Sequence, residues 1–161
     1  MKLLEPTHIY TLGDYYASPN LREDCHNVKE GNAVTANDMA HALAEKLPKD
    51  CLLVPIPSYS GYNETFTRML AYYADAPIAY VLGRKHINMG LYNLKKQGYI
   101  VTEEDVCLFP NGPLPEGNIV LVDNVVATGT TLSAAIRAIG KPCAVACMAV
   151  DYGAYNNYHT V

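Results

Sequence analysis

Tryptophan is absent from this chain, and its aromatic character rests on 13 tyrosines. Many of these are grouped: Tyr10, Tyr15 and Tyr16; Tyr72 and Tyr73; Tyr152, Tyr155 and Tyr158. A tyrosine ring can stack on a base. More often it buries its body and keeps its hydroxyl wet, or forms a subunit contact, so the clusters allow a homodimer. An excess of positive charge is also missing. The formal net charge is -4, which argues against a nucleic-acid surface. No apolar run approaches a membrane span, so no membrane partner is expected. The start, Met1-Lys2-Leu3-Leu4-Glu5-Pro6, turns polar too soon for a signal peptide. No C-x-x-C pair occurs among the five cysteines. Cys51, Cys107, Cys143 and Cys147 lie in or beside apolar stretches and read as buried free thiols. Cys25, next to His26, reads as part of an exposed polar loop. A reducing cytoplasm is the expected compartment. Internal repeats, low-complexity tracts and linkers are lacking as well, so the 161 residues are expected to form a single domain.

What is present is concentrated between Ile119 and Leu132. An apolar run, Ile119-Val120-Leu121-Val122, has the pattern of a strand buried on both faces. Asp123 and Asn124 follow. After Val125, Val126 and Ala127 comes a loop of small residues, Thr128-Gly129-Thr130-Thr131. Leu132, Ala135, Ile136 and Ile139 then repeat at helical spacing until Gly140 and Pro142 stop them. Strand, polar residues, small loop and helix together make an anion site. Backbone N–H groups and the positive end of the helix dipole face a ligand that no bulky side chain keeps away.

These residues resemble the phosphoribosyl-pyrophosphate (PRPP) motif of the type I phosphoribosyltransferases: four apolar residues, two acidic ones, then Thr-Gly-x-Thr. The chain departs from the motif at Asn124, where the second acid is expected. The resemblance implies an α/β fold, a Rossmann-like, mostly parallel sheet flanked by helices with a small N-terminal hood. It implies a magnesium-dependent transfer of the 5-phosphoribosyl group from PRPP to a nitrogenous base, with release of pyrophosphate. Asp123, Asn124, Ala127, Thr128, Gly129, Thr130 and Thr131 would bind ribose and 5′-phosphate. Asp123 would also be catalytic. Mg2+ would be held mainly by the substrate, with no dedicated protein ligands. An amide at Asn124 removes a negative charge from beside the ring. That leaves a non-catalytic PRPP- or nucleotide-binding regulatory protein as the alternative; on the enzyme reading, restoring the charge with Asn124→Asp is expected to raise turnover.

The rest of the chain divides into a hood (1–34), a core (35–151) and, within the core, a flexible loop region (85–117). The hood reads as short strands and turns, either contacting the acceptor or only covering a sheet edge. Thr35 is expected to open a helix with Ala36, Met39, Ala40, Leu43 and Leu47 on one face. Cys51 to Pro57 reads as a strand closed by its prolines. Ser58, Tyr59, Ser60 and Gly61 follow it and lead into a second helix bearing Phe66, Met69, Leu70 and Tyr73. This unit resembles the pyrophosphate loop of the competence-associated branch of the same family, with Ser60 in place of a basic residue. Asn63 reads as ligand contact or helix N-cap. Residues 78–82 read as a third strand, followed by Arg84 and Lys85. The resemblance makes these two pyrophosphate ligands, with Arg84 catalytic, while Lys95 and Lys96 read as a solvated basic turn. Val106 to Phe109 is expected to return to the sheet. The last strand, 143–150, ends at Asp151 and Tyr152, which read as acceptor ligands or as cap and surface residues.

Overall fold

The structure is a computed structural model that describes residues 2–85, 98 and 101–159. Four parallel strands form its main sheet, in the order β1 (Ile9–Thr11), β6 (Ala144–Val150), β5 (Ile119–Val126) and β2 (Leu52–Pro55). Ile78 adds a parallel bridge to Leu53 beyond β2. The central strands read as apolar runs because both their faces are covered. Alternation splits β5 between two clusters. Val120 and Val122 face one side, while Ile119 and Leu121 face the other.

Three helices cover the first face: α1 (Pro19–Lys29), α2 (Ala33–Ala44) and α3 (Tyr62–Ala74). They contribute Leu21, Cys25, Val28, Ala40, Leu43 and Phe66 to the core there. The second face is covered by α5 (Thr130–Ile139), through Leu132, Ala135, Ile136 and Ile139. Between β2 and β5 lie β3 (Leu82–Arg84), a short helix α4 (Glu103–Val106) and β4 (Leu108–Pro110). After β6 comes α6 (Tyr152–His159).

Several expectations shift. Residues 1–34 are no separate hood of strands and turns. They hold an edge strand of the main sheet, paired Ile9 to Val145, and a helix that buries Leu21, Cys25 and Val28. Cys25 is therefore core, not exposed loop. Asn32, not Thr35, caps α2, by accepting from the Thr35 N–H at 3.0 Å. The run 78–82 gives one bridge at Ile78 rather than a full strand. Leu108–Pro110 does not return to the main sheet but pairs antiparallel with Leu82–Arg84. Within the expected loop region 85–117, residues 103–110 are thus regular structure. Lys95 and Lys96 lie outside the described residues. The short polar tail is helical.

The caps separate two groups of helices. Ser18 and Asn32 give side-chain caps to α1 and α2. The helices α3 and α5, which start at the carboxyl ends of β2 and β5, begin instead at Gly61 (φ 82) and Gly129 (φ 88), with no side-chain cap bond. Those left-handed positions suit glycine and leave the first N–H groups of both helices turned toward the end of the sheet where ligands bind in open α/β folds.

Candidate functional site

The loop joining β5 to α5 encloses a cleft of about 70 Å3, lined by Asp123 and by residues 125–132. Thr128 and Thr130 meet through their hydroxyls at 2.9 Å, and Thr128 Oγ1 reaches the Thr130 N–H only at 3.4 Å. Hydroxyls, glycine and the start of α5 therefore converge on a space suited to a small anion. Asp123 stands three residues before the end of β5 and is half-buried. Removal from water pushes its carboxyl up to about 6. The Asn124 N–H, which donates to Oδ1 at 2.8 Å, and the charges of Arg84 and Lys29 pull the other way. Asp123, Ala127, Thr128, Gly129, Thr130 and Thr131 all come together here.

Asn124 does not join them. Its side chain turns to the opposite face, is buried, and donates from Nδ2 to the carbonyl of Cys25 in α1 at 3.2 Å. Strand alternation dictates this: when Asp123 faces the cleft, its neighbour faces the core. The departure from the motif thus has a local reason. A carboxylate at 124 would oppose the Cys25 carbonyl, acceptor against acceptor, in a buried setting. Asn124→Asp is therefore expected to destabilise the fold by about 2–4 kcal/mol rather than raise turnover. Denaturant unfolding measures this. Unchanged stability would show that the amide bond to Cys25 carries no weight.

The loop after β2 is closed on itself. Ser58 donates both its N–H and its hydroxyl to Glu64 Oε1, at 2.8 and 3.0 Å, and its Oγ accepts from the Asn63 N–H at 3.2 Å. Tyr59 and Ser60 are exposed, and Gly61 is the helix cap. Asn63 is neither N-cap nor cleft residue. Its buried Nδ2 bridges the carbonyls of Ile56 and Val122, at 2.8 and 2.7 Å, tying the residue after β2 to the middle of β5. Arg84 donates to the Pro57 carbonyl from Nη1 (3.0 Å) and to the Val106 carbonyl from Nε (3.2 Å). It therefore fastens this loop to α4 while its charge acts on Asp123. Lys85 is exposed.

Asp151 caps α6, accepting the Ala154 N–H at 3.1 Å, and its own N–H bonds the Val126 carbonyl at 2.8 Å. Tyr152 points outward and lines neither cavity. Of the two roles open to this pair, the structure displays cap and surface.

Four residues near the site have no signal in the local sequence. Tyr62, the first residue of α3, is driven above the ordinary phenol range by burial and by the negative charge of Asp123. Lys29, at the end of α1, acts on Asp123 from across the sheet end. Both also line a second cavity of about 340 Å3 between the α1–α2 turn and the start of α3. His159 and Tyr155 of α6 press on the Thr128–Thr131 loop from outside. His159 Nε2 donates to the Thr128 carbonyl at 3.0 Å, and its ring stacks on Tyr155 at 4.0 Å. Topology alone gathers Tyr62, Lys29 and His159, whereas Tyr155 belongs to a tyrosine cluster visible in the sequence.

This arrangement of sheet, helices and cleft is the α/β fold of the type I phosphoribosyltransferases. It matches the adenine phosphoribosyltransferase of Leishmania donovani with a TM-score of 0.52, over 98% of this chain and 80% of that one, at 13% identity. Weaker similarity extends to the orotate phosphoribosyltransferase of Aeropyrum pernix (TM-score 0.43, 20% identity, 75% of this chain and 59% of that one). The allosteric regulatory enzyme of purine biosynthesis is similar at TM-score 0.45 and 18% identity, over 72% of this chain and 25% of that one. The chain thus spans less than two thirds of the length of these last two proteins. No family model and no curated protein matches the sequence. Among the described residues, no helix is long and apolar enough to cross a membrane.

Proposed function

We propose that the protein transfers the 5-phosphoribosyl group from PRPP to a nitrogenous base, releasing pyrophosphate. The observation that carries this reading is the pairing of Asp123 with the Thr128–Thr131 loop in one cleft, at the carboxyl end of a parallel sheet. The loop would hold the 5′-phosphate by its N–H groups and hydroxyls, fixing the ribose in place. Asp123 would accept hydrogen bonds from the ribose hydroxyls. Once ionised, it places negative charge where the anomeric carbon becomes cationic. Arg84 would offer its remaining N–H donors and its charge to the leaving pyrophosphate. Two of the five donors are fixed on carbonyls, so its orientation is set beforehand.

The donor set fits magnesium bound chiefly through substrate. The cleft offers the carboxylate of Asp123 beside the Thr128–Thr131 loop. Mg2+ characteristically keeps waters and takes one or two carboxylates beside phosphate oxygens. When bound, it would supply charge neutralisation to the pyrophosphate, with Asp123 as the nearby carboxylate. The acceptor would enter from the side of the second cavity, which Tyr62 and Lys29 share with the surroundings of Asp123. A homodimer and a cytoplasmic setting complete the reading.

One observation favours a non-catalytic PRPP- or nucleotide-binding protein instead. Glu64 occupies the Ser58 N–H and hydroxyl, donors that would otherwise serve pyrophosphate. Pyrophosphate release separates the two. The protein is incubated with PRPP, Mg2+ and a panel of bases that includes adenine, hypoxanthine, uracil and orotate. Base-dependent release is expected. Tight PRPP binding with no release from any base would leave the binding protein standing. Failure of PRPP to raise the Tm with Mg2+ present would count against both.

A further inference from the structure

The phosphate loop is held from behind by the last helix. The Thr128–Gly129 peptide is the critical unit. A trans peptide is planar, so its carbonyl and its N–H point in opposite directions. The Thr128 carbonyl is fixed by His159 Nε2 at 3.0 Å. A carbonyl can only accept, so Nε2 carries the proton at this contact. The imidazole itself is fixed on three sides. Its Nδ1 faces Glu5 Oε1 at 3.0 Å, its ring stacks on Tyr155 at 4.0 Å with 19° between planes, and its side chain is only 6% exposed. Gly129 lies so close to this ring that a Cβ there would come within 2.8 Å of Nε2. On the other side, Gly129 lines the cleft beside Asp123.

We infer that His159 is a positioning residue for the phosphate loop: by holding the Thr128 carbonyl outward, it aims the Gly129 N–H into the cleft. His159 touches no substrate. It acts through a single peptide plane, and Glu5 orients the ring that does so when Nδ1 also carries a proton, since a bare Nδ1 would face the carboxylate acceptor against acceptor. The inference rests on the reading that the cleft takes the 5′-phosphate of a phosphoribosyl substrate.

The test compares two probes by calorimetry with Mg2+ present: ribose 5-phosphate, which would use this loop, and inorganic pyrophosphate, which would not. His159→Leu removes the donor, and His159→Gln replaces it with an amide that can still reach the carbonyl. His159→Leu is expected to weaken ribose 5-phosphate about tenfold, the loss of one well-placed hydrogen bond, with pyrophosphate affinity unchanged. His159→Gln is expected to restore most of that loss. Glu5→Ala frees the Nδ1 side without touching the core, and is expected to move ribose 5-phosphate affinity the same way, about two- to threefold. It keeps the test alive where His159→Leu fails to fold. Equal ribose 5-phosphate affinity in wild type and His159→Leu would overturn the positioning role alone, as would equal weakening of both probes. Absence of ribose 5-phosphate binding in the wild type would overturn the phosphoribosyl reading and this inference with it.

Discussion

Asp123→Asn is expected to abolish most PRPP-dependent activity and yet stabilise the protein at neutral pH. The activity loss follows from the removal of negative charge beside a developing cation in a partly desolvated cleft, roughly 10²–10³-fold in rate. The stability gain follows from the carboxyl itself, raised from 3.8 to about 6. An acid whose folded pKa lies above its unfolded value binds its proton more tightly when folded. Its contribution is therefore most favourable below about pH 4 and falls as pH rises through about 6, where the folded chain must hold a desolvated carboxylate. At pH 7 the penalty is of the order of 1–3 kcal/mol, at about 1.4 kcal/mol per pKa unit and discounted for partial exposure. Asparagine avoids it while keeping an oxygen for the Asn124 N–H. Unfolding curves from pH 4 to 8 should show the wild type losing stability across the window and the variant changing less. Substrate binding in the wild type should rise through the same window as Asp123 ionises. A variant that is less stable at pH 7, or that turns over PRPP at the wild-type rate, would show that Asp123 belongs to the scaffold rather than the site.

Gly129→Val is expected to be nearly as severe, for steric reasons. The residue sits at φ 88, where a β-branched side chain is strained, at about 1–3 kcal/mol. Its new Cβ would meet His159 Nε2 at 2.8 Å and Tyr155 Cε2 at 3.2 Å. Either the loop or α6 has to move. The backbone term alone should lower the Tm by about 3–10 °C. Ribose 5-phosphate binding should fall below detection, because the same residue lines the cleft. Retained binding at an unchanged Tm would mean that α6 does not pack on the loop in solution.

How much of this could be read from the chain depends on the range of the interactions involved. The unit β5–loop–α5 was legible because its pattern is local: an apolar run, two polar residues, small residues, then helical spacing. Strand β6 and the faces of α2 and α3 were legible for the same reason. Strand β1 was not recognisable as core. Three half-buried residues carry little period, and only their pairing with Val145, Ala146 and Cys147 makes them a sheet edge. Helix α1 did carry a local signal, with its buried Leu21, Cys25 and Val28 at i, i+4 and i+7 behind Ser18 and Pro19, but the charged residues between them made the segment read as a polar loop. At the site, Asp123 and the threonine loop were visible in the motif. That Asn124 faces the core follows from strand alternation, but a polar pair at a presumed strand end suggested one shared direction. The strand runs on to Val126, so alternation still governs both residues. Tyr62, Lys29 and His159 had no local signature at all. Each arrives from a different helix.

The contact between Glu5 and His159 also bears on when the site forms. Glu5 and His159 are far apart in sequence, so the contact closes a long loop. Closure of that kind comes late, after the chain entropy has been reduced by shorter-range pairing. A refolding chain should therefore regain the α2–α3 packing before the Thr128–Thr131 loop takes its final shape, with the β1–β6 pairing also among the late steps. Ligand-binding competence would lag behind compaction, and the docking of α6 on the loop would be a late step of maturation.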